Sequence, residues 1–379
     1  MELTREEELM LSGEKGEALE KAMEILVSIG DINDAERLLR VKSVQISGVS
    51  YKTIGDGGLE FLKDFASLNA KVQVFATLNP AGIDLEMENT RVPKQFIKKQ
   101  REILKAYERI GATPSCTCTP YLAGNLPIQG EHIAWAESSA VAYVNSVIGA
   151  MTNRESSITA LASAIAGKTP FYGLHIEENR LPTFTVEVST SLKTSSDYSS
   201  LGYYVGKHFD GIPLFTGIKP DLECFKALSA GLATGQVSMF HVEGMTPNKT
   251  RGTEDLERVV FSGSEKALVN EELNTCEDPD IVCIGCPHCT IKEIREVAAA
   301  NPKREVWVYT ARQNKTLLKD KIKNENIKII SDTCMVVQPL EEMGISSLGT
   351  NSCKCAYYAK NLSRLEVKFD AMESLLKKR

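Results

Sequence analysis

The amino-acid sequence predicts an α/β protein of more than one domain. Three features carry that expectation. A chain of 379 residues with 42% hydrophobic residues has more apolar material than one core usually takes up. Short apolar runs that end in glycine, proline or serine alternate with amphipathic stretches along its whole length. Near the C-terminus the alternation is regular enough to predict a doubly wound parallel sheet.

In order along the chain, EALEKAMEILVSIGDI has apolar residues three and four apart and predicts a helix. VKSVQISGVS and KVQVFATLNP, with the helical LEFLKDFASL between them, form a βαβ pattern. Ligands collect beyond the carboxyl ends of parallel strands, which makes Gly48, Val49 and Ser50, and also Asn79 and Pro80, candidate substrate contacts. Gly55-Asp56-Gly57-Gly58 is read as a turn that opens the intervening helix. It lacks the Lys and Ser/Thr of a nucleotide-binding P-loop. VPKQFIKKQREILKAYERIG predicts a long helix stopped by Gly111, followed by the cysteine loop TPSCTCTPYL. Glu137 and Ser138 stand where the next helix should begin, ahead of an apolar face that includes Val141, Val144 and Ile148.

From about 159 to 242, the strand-like runs FYGLHI, FTVEVS, IPLFTG and QVSMFHV alternate with two helical patterns, which suits a second α/β unit. The polar TRGTEDLERVVFS reads as a boundary. Beyond it DIVCIG, VWVYTA, IKIISD and SSLGTNS are strand candidates, with helices near 290–300 and 312–323. The expected domains are 1–155, 156–262 and 263–379.

Composition excludes several function classes. The net charge of −6 is mixed in sign along the chain and leaves no basic face for a nucleic-acid backbone. No stretch approaches the roughly 20 apolar residues of a membrane span, and the N-terminus is acidic rather than signal-like, so a cytoplasmic protein is expected. Ten cysteines are many for such a compartment and point to metal binding or catalysis before a disulfide framework. Cys283, inside a strand-like run, and Cys224, inside a helical one, read as ordinary core residues. Cys116, Cys118, Cys286, Cys353 and Cys355 all follow strands or sit in loops, where they can converge. The spacings C-x-C and C-x-x-C leave a metal cluster and a redox or structural pair both open, with zinc behind them because only one C-x-x-C is present.

Several segments in chain order resemble the aconitase X family: TLNP at 77–80, CTPYL at 118–122, GEHIAWAESSAVAYVNSVIGAMTNRE, HVEGMTP at 241–247, the GCPH around Cys286, SDTC at 331–334 and KCAYYA at 354–359. The resemblance implies an aconitase-like α/β/α architecture with Rossmann-like parallel sheets around a central cleft. It implies a [4Fe–4S] cluster whose matching ligand positions are Cys118, Cys286 and Cys355, with Cys116, Cys289 and Cys353 as neighbours and Cys334 as a further candidate. Glu137 and Ser138 are the implied catalytic pair, Glu137 hydrogen-bonding the departing hydroxyl or assisting its protonation.

The resemblance further implies a hydro-lyase. Within the family the chain looks like the stand-alone archaeal large chains, which implies dehydration of (R)-5-phosphomevalonate to trans-anhydromevalonate 5-phosphate in a modified mevalonate pathway to isoprenoids. Dehydration of cis-3-hydroxyproline or another small hydroxy acid, and a non-catalytic cluster-binding role, are the alternatives. The chain ends at Arg379 without a swivelling domain, so a separate small subunit carrying that domain and a serine base is expected, and this chain alone should be inactive.

Overall fold

The computed structural model describes residues 1–87, 91–235, 237–248, 250 and 252–377. It is an α/β protein with three parallel sheets and a short antiparallel ribbon. In the first sheet the strand Ser43–Ile46 lies between Phe75–Leu78 and Ala134–Trp135, all parallel. The helices Tyr51–Ser67 and Lys94–Ile110 pack against it. Ile103, Leu104, Tyr107 and Ile110 recur at helical spacing and are buried, and the second helix stops where Gly111 turns left-handed at φ 100°. The first helix starts at Tyr51 under an N-cap by Ser50, eight residues before the Leu59 start that the glycine turn suggested. The Gly55 turn is a kink within it, at φ 59°.

The second sheet has the order His241–Val242, Pro213–Thr216, Phe184–Val188, Glu257–Phe261, again all parallel. Its last strand comes from the run read as a polar boundary. It is an edge strand with only Phe261 fully buried, so it needs few apolar residues. The expected strand FYGLHI does not form, because Gly173 turns left-handed and two short 3-10 turns, Gly173–His175 and Glu177–Arg180, take its place. Of the run QVSMFHV, whose Gln236 lies outside the described residues, His241–Val242 joins the sheet. The helices Ser195–His208 and Leu222–Thr234 meet backbone to backbone. A Cβ at Gly235 would lie 1.5 Å from the carbonyl oxygen of Gly206, which only glycine permits.

The third sheet runs Ile327–Ser331, Val306–Thr310, Ile281–Cys289, Ser347–Thr350, Glu366–Phe369, with every pair parallel. Glu366–Phe369 is a fifth strand beyond the four expected, and the helix expected over 312–323 closes at Leu318. Strand order reverses between Ile281–Cys289 and Ser347–Thr350. That is the topological switch point where doubly wound sheets hold their ligands.

The carboxyl edges of the first and third sheets face each other. Ala81 N–H donates to the Asp332 carbonyl at 2.7 Å and the Ser50 hydroxyl to the Val337 carbonyl at 2.8 Å. A buried ion pair joins Lys315 to Asp84 at 2.7 Å across the same seam. Among the described residues, no helix is long and apolar enough to cross a membrane.

Candidate active site

A cavity of about 330 Å³ lies in this seam, within the size range of small-molecule sites. The first sheet's strand ends supply Gly48, Val49 and Ser50, then Asn79 and Pro80, then Glu137 and Ser138. The third sheet's loops supply Cys286, Cys334 and Lys354, and Cys118 comes from the loop before the turn Pro120–Leu122. All the residues expected at the site from sequence line this one space except Cys355.

Cys118, Cys334 and Cys355 are buried, Cys286 is half-buried, and all four are free of disulfides. Cys118 Sγ accepts the backbone N–H of His288 at 3.2 Å. Cys286 follows Gly285, whose φ of 115° and 2.2 Å approach of a Cβ to the Tyr309 carbonyl oxygen exclude any other residue; burial raises its thiol, and the Lys354 charge opposes that rise. Burial pushes the Cys334 thiol up to about 12, and its main-chain carbonyl accepts the Val337 N–H at 3.1 Å. Cys355 does not line the cavity, and its main-chain N–H donates to Ser352 Oγ at 3.3 Å, the cap of its own helix. Burial raises the thiols of Cys118 and Cys355 well above the ordinary range, and Cys286 and Cys334 raise both further. Cys118, Cys286 and Cys334 share the wall of the one cavity. Cys289 and Cys353 pack into cores, with Cys353 N–H donating to Ser199 Oγ at 2.9 Å, and Cys116 sits buried in a left-handed turn at φ 45°.

This donor set fits an iron–sulfur cluster. Thiols are its usual ligands, and here three of them line one space where burial raises them above the ordinary range, so a metal is what would draw off their protons. Among the described residues no three His, Cys, Asp or Glu close on a single-ion position. A polynuclear cluster spreads its thiolates over several irons and needs no such point.

Across the cavity, Glu137 caps the helix Ser138–Tyr143 and is held by three side chains. Lys354 Nζ donates to its carboxylate at 2.7 Å, Asn79 Nδ2 at 2.6 Å and Ser139 Oγ at 2.8 Å. Burial alone would raise this carboxyl; the Lys354 charge and the hydrogen bonds outweigh it and bring it down to about 2. Lys354 also donates to Ser138 Oγ at 2.9 Å, and its own charge is secured by Glu137 despite burial. Asn79 is thus committed to Glu137 in this state. Lys354 was not among the residues expected from sequence: set between two cysteines, it gave no sign of a partner 217 positions away.

Models of the aconitase X first, second and third domains match residues 1–178, 182–271 and 279–379. The chain is 44% identical to the phosphomevalonate dehydratase large subunit of Methanocaldococcus jannaschii, with 100% of both chains covered. The crystal structure of Thermococcus kodakaraensis aconitase X in its holo-form superposes with a TM-score of 0.94, at 44% identity and full coverage of both chains. Against the cis-3-hydroxy-L-proline dehydratase of Pseudomonas aeruginosa, identity is 32% over 96% of this chain but 67% of that protein.

Proposed function

Because the chain belongs to the aconitase X family, whose named relatives are dehydratases and make it a hydro-lyase, we propose that it is the large, cluster-bearing subunit of an enzyme that dehydrates (R)-5-phosphomevalonate to trans-anhydromevalonate 5-phosphate. One observation carries the reading. Thiols from two facing sheet edges open onto a single cavity, in a chain that aligns end to end with relatives named phosphomevalonate dehydratase large subunit.

Cys118 and Cys286 hold the cluster in this reading. The third thiolate is Cys355 by the family's motif, but the cavity wall favours Cys334, which faces the space directly. A [4Fe–4S] cluster held there would supply a Lewis acid that turns hydroxide into a tolerable leaving group.

The chain's own groups do the rest that falls to it. Gly48, Val49 and Ser50 line the opposite wall, within reach of an anionic group of the substrate. Glu137, at about 2, carries no proton near neutrality, so it cannot protonate the departing hydroxyl; it is also too weak a base for a carbon acid. Lys354 is the proton-bearing group on that wall, and Glu137 and Ser138 aim it. The base is assigned to the partner: the relatives' name "large subunit" supports a small one, and the hydroxyproline dehydratases have a further third of chain in which such a domain fits.

The test is anaerobic reconstitution with the small subunit, followed by turnover of (R)-5-phosphomevalonate and of cis-3-hydroxy-L-proline. Elimination of water from the phosphorylated acid alone is expected. Turnover of the hydroxyproline instead would overturn the substrate assignment, and no turnover of either would overturn the enzyme.

A further inference from the structure

His288 is fully buried, outside the cavity lining, and has no part in the chemistry described above. Its contacts are unusual in their distribution. Nδ1 lies 2.9 Å from the Thr117 hydroxyl, Nε2 lies 2.9 Å from the Thr333 carbonyl oxygen, and the backbone N–H donates to Cys118 Sγ at 3.2 Å. Thr117 separates Cys116 from Cys118, Thr333 precedes Cys334, and His288 itself lies between Cys286 and Cys289. One imidazole therefore ties together three loops that are 171 and 45 residues apart in sequence, and each loop carries a thiol that faces the cavity.

Chemistry fixes how the ring is used. A carbonyl oxygen only accepts, so Nε2 carries a proton; in the neutral ring Nδ1 is then bare and receives the Thr117 hydroxyl hydrogen. Thr117 Oγ1 in turn accepts the Thr119 N–H at 3.2 Å, which orients the hydroxyl from within its own loop. The chain of donors runs in one direction, from the Cys118 loop through the ring to the Cys334 loop. A hydrophobic residue of the same size would fill the space and keep the backbone N–H to Cys118, but would make neither ring hydrogen bond.

We propose that His288 is a positioning residue for the cluster: as a neutral Nε2–H imidazole it locks the loops of Cys118, Cys286 and Cys334 in the spacing that the cluster requires. This rests on the cluster reading above. It differs from packing because it acts through two directional hydrogen bonds that can be removed one at a time. Partners behind metal ligands typically contribute about 10–100-fold in metal affinity or activity.

The experiment compares anaerobically reconstituted wild type with His288→Leu, His288→Asn, His288→Gln and Thr117→Val. It measures iron and sulfide per chain, the rate of iron release to a ferrous chelator, and thermal unfolding of the cluster-free proteins. Asn places an amide oxygen near the Nδ1 position and keeps the Thr117 bond; Gln places an NH2 near Nε2 and keeps the Thr333 bond. Iron release about 10–100-fold faster is expected for His288→Leu, with intermediate rates for Asn and Gln and little change in the melting of the cluster-free chains. Thr117→Val should speed release as well, and adding it to His288→Leu should have no additional effect. Should His288→Leu fail to fold, Thr117→Val decides by itself. Release at the wild-type rate from a folded His288→Leu or from Thr117→Val would overturn the proposal, as would faster release from the double variant than from His288→Leu. A wild type that takes up no iron would overturn the cluster reading and this one with it.

Discussion

Removing Lys354 gives the sharpest test of the site's electrostatics. In Lys354→Met the Glu137 carboxylate stays buried and keeps Asn79 and Ser139, but loses the cation 2.7 Å away. Breaking a buried pair from one side typically costs about 3–5 kcal/mol. The cost has a ceiling, because the carboxyl can take a proton instead. Protonating an ordinary glutamate at pH 7 costs about 1.4 kcal/mol for each of the roughly 2.7 units above its usual pKa, close to 4 kcal/mol. At pH 5 that ceiling falls to about 1 kcal/mol.

The wild-type carboxyl is depressed to about 2, so its contribution is complete above the ordinary glutamate range and is lost only as pH falls toward 2. In the variant burial raises the same carboxyl above its unfolded value. The folded state then binds more protons than the unfolded one, and acidification stabilises it. Urea unfolding of both proteins without cluster, at pH 7 and pH 5, should show a deficit of about 4 kcal/mol shrinking toward 1. Glu137→Gln/Lys354→Met, with no charge left to bury, should recover most of the loss. A deficit that does not change with pH, or one below about 1 kcal/mol at pH 7, would refute the account.

The remaining thiols can be ranked by iron content after anaerobic reconstitution. Cys118→Ala and Cys286→Ala should lose iron and Cys289→Ala should keep it, while comparing Cys334→Ala with Cys355→Ala identifies the third ligand. Buried His175 is pushed down to about 3 by burial, with His132 3.0 Å away adding to the shift. The unfolded chain therefore binds the extra proton below about 6.5, and stability is lost as pH falls. Between pH 6.5 and 5, wild type should lose about 2 kcal/mol more than His175→Asn in urea unfolding, and equal losses would exclude the histidine as the cause. Gly235→Ala sets a methyl against the Gly206 carbonyl oxygen and should cost about 3 kcal/mol or more in the same assay.

What the sequence disclosed depended on how local each signal was. Strands that run out into glycine, serine, cysteine or an Asn-Pro pair announce their own carboxyl edges, and Gly48, Asn79, Cys286 and Cys334 were readable as edge residues for that reason. The strand Glu257–Phe261 was hidden because an edge strand buries one face at most, and ERVVF then looks like a polar linker. FYGLHI misled in the opposite sense, since its apolar residues follow a left-handed glycine into turns. Lys354 and His288 were illegible for a different reason. Their roles lie in partners 217 and 171 residues away, and no local pattern records such a pairing.

That distinction bears on how the site is built. The strands fix where each loop starts but not how far apart two loops from different sheets stand. Here this spacing is set by buried polar contacts: Ser50 to Val337, Lys315 to Asp84, Glu137 to Lys354 and the three bonds of His288. Each leaves an unsatisfied buried group if the seam opens, at about 1–3 kcal/mol for a neutral group and more for a charge. Apolar contacts between the two sheets would hold them together yet tolerate sliding, because they have no direction. Directional contacts do not tolerate it, and a cluster bridging thiols from both sheets needs a fixed distance more than it needs adhesion.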